Sequence, residues 1–214
     1  MKEEYKNYVI KHFFVEDFFE KEPTGNYRLE EMDLGGETSF FFKTVGIDSM
    51  VIRNVDKKNT QFAFFRSDKA LSLKKRVDHI VFEQEKNNKW NVHLIEMKSS
   101  ISTKEKWLEI KGKFRASYFL VQVLGAILQM EIQEVRMYTT YEKISFACMP
   151  ENPVSRRAYV GKAPENLMSE WNGEAFSLWF GETCSMPFLH IPVQVFRKGK
   201  QLLEGEYCCE GERK

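Results

Sequence analysis

Apolar positions along the chain change period several times, and each change predicts an element. Tyr5, Val9, Phe13, Phe14 and Phe18 recur at helical spacing, so an amphipathic helix is expected over Lys2–Glu20. Pro23-Thr24-Gly25-Asn26 stops it. A polar stretch with Gly35-Gly36 leads to two runs with strand character, Ser39–Val45 and Asp48–Val55. Gln61–Arg66 allows a further short strand, and Ser67–Lys75 is a basic loop or short helix. Arg76–Ser100 then reads as two strands joined by a tight loop. Ser102 and Thr103 open a long helix, Lys104–Met130, with a stripe of Trp107, Ile110, Phe114, Tyr118, Val121 and Leu128. Its second half, Phe119–Leu128, is apolar nearly all round and is expected to be buried. Glu134–Thr140 predicts another strand, which Lys143–Ala147 extends. Beyond Pro150 the apolar runs shorten to Ala175–Phe180, His190–Phe196 and Gln201–Tyr207, with a hairpin turn at Lys198-Gly199-Lys200. The expected organisation is a core over 1–149 and a β-rich C-terminal elaboration over 150–214, packed on that core.

The 76–100 hairpin carries the chemistry. Residues two apart in a strand share a face. Asp78, Ile80 and Phe82 therefore form one face of the first strand, and Val92, Leu94, Glu96 and Lys98 one face of the second. Pairing Phe82 with Val92 and Ile80 with Leu94 puts Asp78 opposite Glu96. Opposed side chains lie about 5 Å apart at Cβ, close enough for one cation to touch both carboxylates. The register requires an odd loop such as Lys86-Asn87-Asn88, and asparagine tolerates the left-handed backbone of such loops. Two carboxylates and an ammonium at the end of an apolar hairpin are costly unless they bind something, and a divalent metal fits. His79 and His93 fall on the opposite face and are expected as packed core or interface residues.

Asp78, a spacer of 17 residues, then Glu96-Met97-Lys98 resembles the core motif of the PD-(D/E)XK nuclease superfamily, the restriction-endonuclease-like phosphodiesterases. The likeness spans roughly Glu3 to Ile144. Val77 stands where the motif has its proline. The resemblance implies an α-β-β-β-α-β core: an α/β (α+β) fold with a mixed central sheet flanked by helices. It also implies metal-dependent phosphodiester hydrolysis on nucleic acid, with DNA the expected substrate and Mg²⁺ or Mn²⁺ the expected cofactor. Asp78, Glu96 and the backbone carbonyl of Met97 would hold the ion, and Lys98 would stand beside the attacking water and the phosphate. Accessory groups would come from the first helix (Glu16 or Glu20) and from the helix after the motif (Lys111, Arg115 or Gln122). Solvated helix-face carboxylates explain the two acids equally, and a satisfied core amide explains Gln122. Lys74-Lys75-Arg76 and Arg156-Arg157 could contact phosphates or stand as solvated charge. Two rivals stay open: a non-catalytic binding or assembly module in a nucleic-acid-processing or defence complex, and a fold in which Glu96–Lys98 is a structural ion pair.

Composition narrows the partners. At 214 residues, 43% apolar with eighteen phenylalanines, the chain can bury one sizeable core. A net charge of +1 offers no global basic field, so nucleic-acid binding must rest on local patches. Cys148, Cys184, Cys208 and Cys209 lack zinc spacing and are expected as free thiols. The N-terminal segment has no signal-peptide apolar run, and no stretch approaches 18 continuous apolar residues. A cytoplasmic protein is expected, without membrane contact and with a homodimer or larger complex possible.

Overall fold

A computed structural model describes residues 19–22, 24–33, 36–46, 48–53, 55, 74–86, 88–145, 164–180, 184–198 and 202–209. The elements are β1 (Phe19–Glu20), β2 (Asn26–Asp33), β3 (Gly36–Lys43), β4 (Asp48–Ile52), β5 (His79–Gln84), β6 (Trp90–Met97), β7 (Ser100–Ile101), α1 (Lys104–Ile127), β8 (Ile132–Tyr141), β9 (Lys143–Ile144), α2 (Pro164–Trp171), β10 (Ser177–Trp179), β11 (Ser185–Pro187), β12 (Leu189–Gln194), β13 (Phe196–Lys198) and β14 (Leu202–Cys208). This is a mixed α/β architecture in which strands outnumber helices.

A six-stranded mixed sheet, in the order β1-β4-β5-β6-β8-β12, forms the centre. β4, β5 and β6 run antiparallel as a meander. α1 then carries the chain over to β8, which lies parallel to β6, and β12 adds parallel to β8. A four-stranded sheet, β13-β14-β3-β2, packs against one face of the central sheet. Strands from beyond residue 150 thus enter both sheets. β6 is buried at every position, as a central strand covered on both faces must be.

The alternation of β5 and β6 builds two cores. Ile80, Phe82, Val92 and Leu94 face α1, where Trp107, Ile110 and Phe114 join them. Val81, Ile95 and Met97 face the other way, onto Tyr27, Leu29, Phe40 and Phe42 of β2 and β3. Thr103 caps α1, its side chain accepting from the Lys106 amide at 3.3 Å.

Several sequence expectations change here. Phe19 and Glu20 form a strand paired with Ile52 and Val51, so no helix runs through Glu20. The rest of that expected helix, Glu16 included, lies outside the described residues, as do 61–66, Arg156-Arg157 and Cys148. The second half of α1 is not buried all round: Phe119, Val123 and Ile127 are exposed. One face meets the sheet; on the other, Phe119 meets the Phe180 ring edge-on and stays partly exposed. β2 replaces the expected polar stretch, because Tyr27 and Leu29 alternate with exposed Asn26, Arg28 and Glu30. Pro164 starts α2, a position where its missing N–H costs nothing. Among the described residues no helix is long and apolar enough to cross a membrane.

Candidate metal and phosphodiester site

The hairpin has the expected register. Phe82 pairs with Val92, Ile80 with Leu94 and His79 with Ile95. Glu85 N–H donates to the Lys89 carbonyl at 2.9 Å, closing the loop, and Asn88 takes φ 66°. The next step of this ladder sets Asp78 against Glu96.

Asp78 stands just before β5, and its neighbours fix it there. Its carbonyl accepts from Val55 N–H at 3.1 Å, and Val77 N–H donates to Ser117 Oγ of α1 at 2.9 Å. The Asp78 side chain crosses to β6, where Oδ2 accepts from Met97 N–H at 2.5 Å. Glu96, fully buried, points to the α1 side. Its Oε1 lies 2.9 Å from Lys98 Nζ and 2.7 Å from Lys113 Nζ. The same Lys113 ammonium stands 3.8 Å from Asp78 Oδ1. Lys98 Nζ also donates to the Met97 carbonyl at 2.8 Å, and its own amide donates to Thr140 Oγ1 of β8 at 3.1 Å. Both acids, the Met97 carbonyl and Lys98 therefore converge at one end of β6.

Burial and mutual repulsion shape the charges. Burial pushes the Asp78 carboxyl up to about 6, and Glu31 adds to the rise. Glu96 is pushed up to about 7, first by burial and then by Asp78. Lys98 and Lys113 move the other way. Burial disfavours their ammonium groups, but Glu96 and Asp78 outweigh it and hold both above the usual lysine range. Glu96 Oε2 is buried without a hydrogen-bond partner. A cavity of about 230 Å³ reaches Glu96, bordered by Lys98, Lys106, Glu109 and Lys113.

Other expected residues are placed elsewhere. The Glu20 carboxylate is taken by Arg53 at 2.6 Å, on a strand separated from β6 by β4 and β5. Lys111 pairs with Glu170 at 3.0 Å and lies over the Phe176 ring. Arg115 donates to the Trp179 carbonyl at 3.0 Å, and Gln122 is exposed on α1. Two residues not selected from sequence reach the site instead. Lys113 lies one turn beyond Ile110 and Glu109 and so sits on the rim of the buried stripe. Glu31 continues the inward face of Tyr27 and Leu29, and its Oε1 stands 3.9 Å from Lys98 Nζ. The extra carboxylate comes from the second sheet.

The opposite face of the hairpin holds a different polar group. Glu83 Oε1 accepts from Val45 N–H and Gly46 N–H, each at 2.6 Å. Its Oε2 lies 2.9 Å from His93 Nε2, and His93 Nδ1 lies 3.0 Å from Tyr138 Oη. Cys209 Sγ is 3.9 Å from Nδ1. Burial opposes the charge of Glu83, but His93 and the two amides outweigh it and keep its carboxyl below the usual range. Burial also lowers His93. A neutral imidazole giving its Nε2 proton to Glu83 and accepting from Tyr138 satisfies every partner. Glu83, His93 and Cys209 offer donor atoms within 4.8 Å of one another and could hold a metal ion. The mixed oxygen, nitrogen and sulfur donors do not single out Mg²⁺ or Mn²⁺.

No protein-family model matches the chain, and neither a curated protein nor a solved structure does.

Proposed function

We propose that the protein is a metal-dependent nuclease of the PD-(D/E)XK type, hydrolysing phosphodiester bonds in DNA at Asp78, Glu96 and Lys98. The observation that carries it is the unpartnered, buried Glu96 Oε2, beside an Asp78 held on the same face. A carboxylate oxygen with no donor is costly in an apolar interior and is the natural place for a cation. The course β4–β5–β6–α1–β8, an antiparallel meander followed by a crossover helix and a parallel strand, supports a restriction-endonuclease-like arrangement.

The residues fit a hard divalent ion. Asp78, Glu96 and the Met97 carbonyl are oxygen donors, which Mg²⁺ and Mn²⁺ prefer. Such an ion, when bound, supplies charge for the scissile phosphate and lowers the pKa of a bound water. The chain does the rest. The Asp78 hydrogen bond to Met97 fixes the distance between the two strand ends. Lys98 stays an ammonium at neutral pH, so it orients and neutralises instead of accepting a proton. Lys113, freed from the carboxylates, is within reach of an incoming phosphate oxygen.

One observation favours a second reading, a non-catalytic module: Lys98 and Lys113 already serve Glu96 Oε1 as internal counter-ions. A cleavage assay separates the two. Supercoiled and linear DNA should be cut with Mn²⁺ or Mg²⁺, and Glu96→Gln should abolish cutting while the folded spectrum persists. Equal cutting by Glu96→Gln would remove Glu96 from the site, and no cutting by the wild type with either ion favours the module.

A further inference from the structure

A cleft of about 770 Å³ runs along the exposed side of α1 to β10. Lys75, Lys111, Lys113 and Arg115 line it, against the carboxylates of Glu105 and Glu109. Lys113 belongs to both places, since it borders this cleft and also touches Glu96. Trp179 stands at the β10 end, 50% exposed. Arg115 ties the helix to that residue through its carbonyl. Leu108, also 50% exposed, adds a second apolar wall.

We propose that this cleft is a track for an unpaired DNA strand, with a base stacked on Trp179 and phosphates led past Arg115 and Lys75 to Lys113. The proposal rests on the nuclease reading for its endpoint but not for its binding. A basic groove beside an exposed aromatic ring is the arrangement that holds single strands without reading sequence. In a duplex the base faces are closed by their neighbours and offer an indole nothing to stack on. Lys75 is paired with Glu109 at 2.6 Å, Lys111 with Glu170 at 3.0 Å and Lys113 with Glu96 at 2.7 Å, so a phosphate chain would bind by taking the place of these carboxylates beside Arg115.

Trp179 provides its own reporter. The other three tryptophans, Trp90, Trp107 and Trp171, are 4%, 0% and 2% exposed. Solvent-sensitive emission therefore comes from Trp179. Titration of the full chain with an oligothymidylate in EDTA should quench that emission. A duplex of equal length should not quench it. Fluorescence anisotropy with a labelled strand should show about tenfold weaker binding for Trp179→Leu and an unchanged Tm. Lys75→Gln should weaken binding and flatten its salt dependence. Equal quenching by duplex, or unchanged strand affinity in Trp179→Leu, overturns the track. Because EDTA excludes metal, strand binding without metal-dependent cleavage sinks the nuclease proposal and leaves the track. Cleavage of a single strand that ignores Trp179 does the reverse.

Discussion

The two faces of the β5–β6 hairpin each bury a glutamate, and they treat it in opposite ways. Glu83 has a donor for every oxygen: two backbone amides on Oε1 and His93 on Oε2. Glu96 has two ammonium groups crowded on Oε1 and none on Oε2. The first carboxyl is held below its ordinary range, and the second is driven up to about 7, chiefly by burial. A fully satisfied buried acid ties elements together; here it binds β5 and β6 to the turn at Val45-Gly46 and, through His93, to Tyr138 of β8. Glu96 ties β6 to α1 through Lys113 and leaves its second oxygen for a further donor or a cation. The contrast supports the proposed reading, with the α1 face as the working face and the opposite face as structural.

Mutations on the two faces should therefore part company. Glu96→Gln should lower Mn²⁺-dependent cleavage by about 10²–10³-fold, the scale of losing one well-placed charge-stabilising group, with Tm held or raised. Glu83→Ala should leave two buried amides and His93 without their acceptor. It should cost about 3 kcal/mol of stability by denaturant titration, while whatever protein remains folded retains its activity. A loss of cleavage in Glu83→Ala beyond the folded fraction would break the division. The pH dependence of stability should carry opposite signs. Asp78 and Glu96 hold protons in the folded state up to about 6 and 7, whereas the unfolded chain releases them near pH 4. Their contribution is complete below about pH 4 and is lost as pH rises to 7. Glu83 behaves conversely: its contribution is present above the unfolded value and lost as pH falls through its lowered one. Metal-free urea titrations of wild type and Glu96→Gln from pH 4 to 8 read this directly, and the variant should lose part of the decline. Glu31→Gln should change cleavage only modestly, by about tenfold or less, because it acts through Lys98 across 3.9 Å. Glu20→Gln should leave cleavage unchanged and cost about 1 kcal/mol, because its half-buried ion pair with Arg53 lies at the sheet edge.

What the sequence made legible follows from which residues alternate. Matching Phe82 with Val92 and Ile80 with Leu94 across an odd loop is enough to set Asp78 and Glu96 on one face, because an even loop would turn Asp78 to the other side. The same rule, applied to Tyr27, Leu29 and Glu31, points to the acid that β2 supplies. The polar composition of 26–33 masks it, since only half of a strand facing solvent needs to be apolar. Lys113 was harder to single out. Helical spacing put it among several basic residues of α1, and the angle at which α1 crosses β6 decides which of them reaches Glu96. That angle is a packing outcome that no local pattern encodes. The exposed Phe119, Val123 and Ile127 show the complementary limit, because an apolar face says that a surface can be covered, not that it is.

Calorimetric titration of Mn²⁺ into metal-free protein at pH 7.5 puts the shared-cation site to the test. Wild-type protein and Glu83→Gln should each take up at least one ion at the Asp78–Glu96 pair, and Glu96→Gln should lose it. Equal uptake by wild type and Glu96→Gln, or uptake lost only in Glu83→Gln, would move the metal to the other face of the hairpin and contradict the assignment.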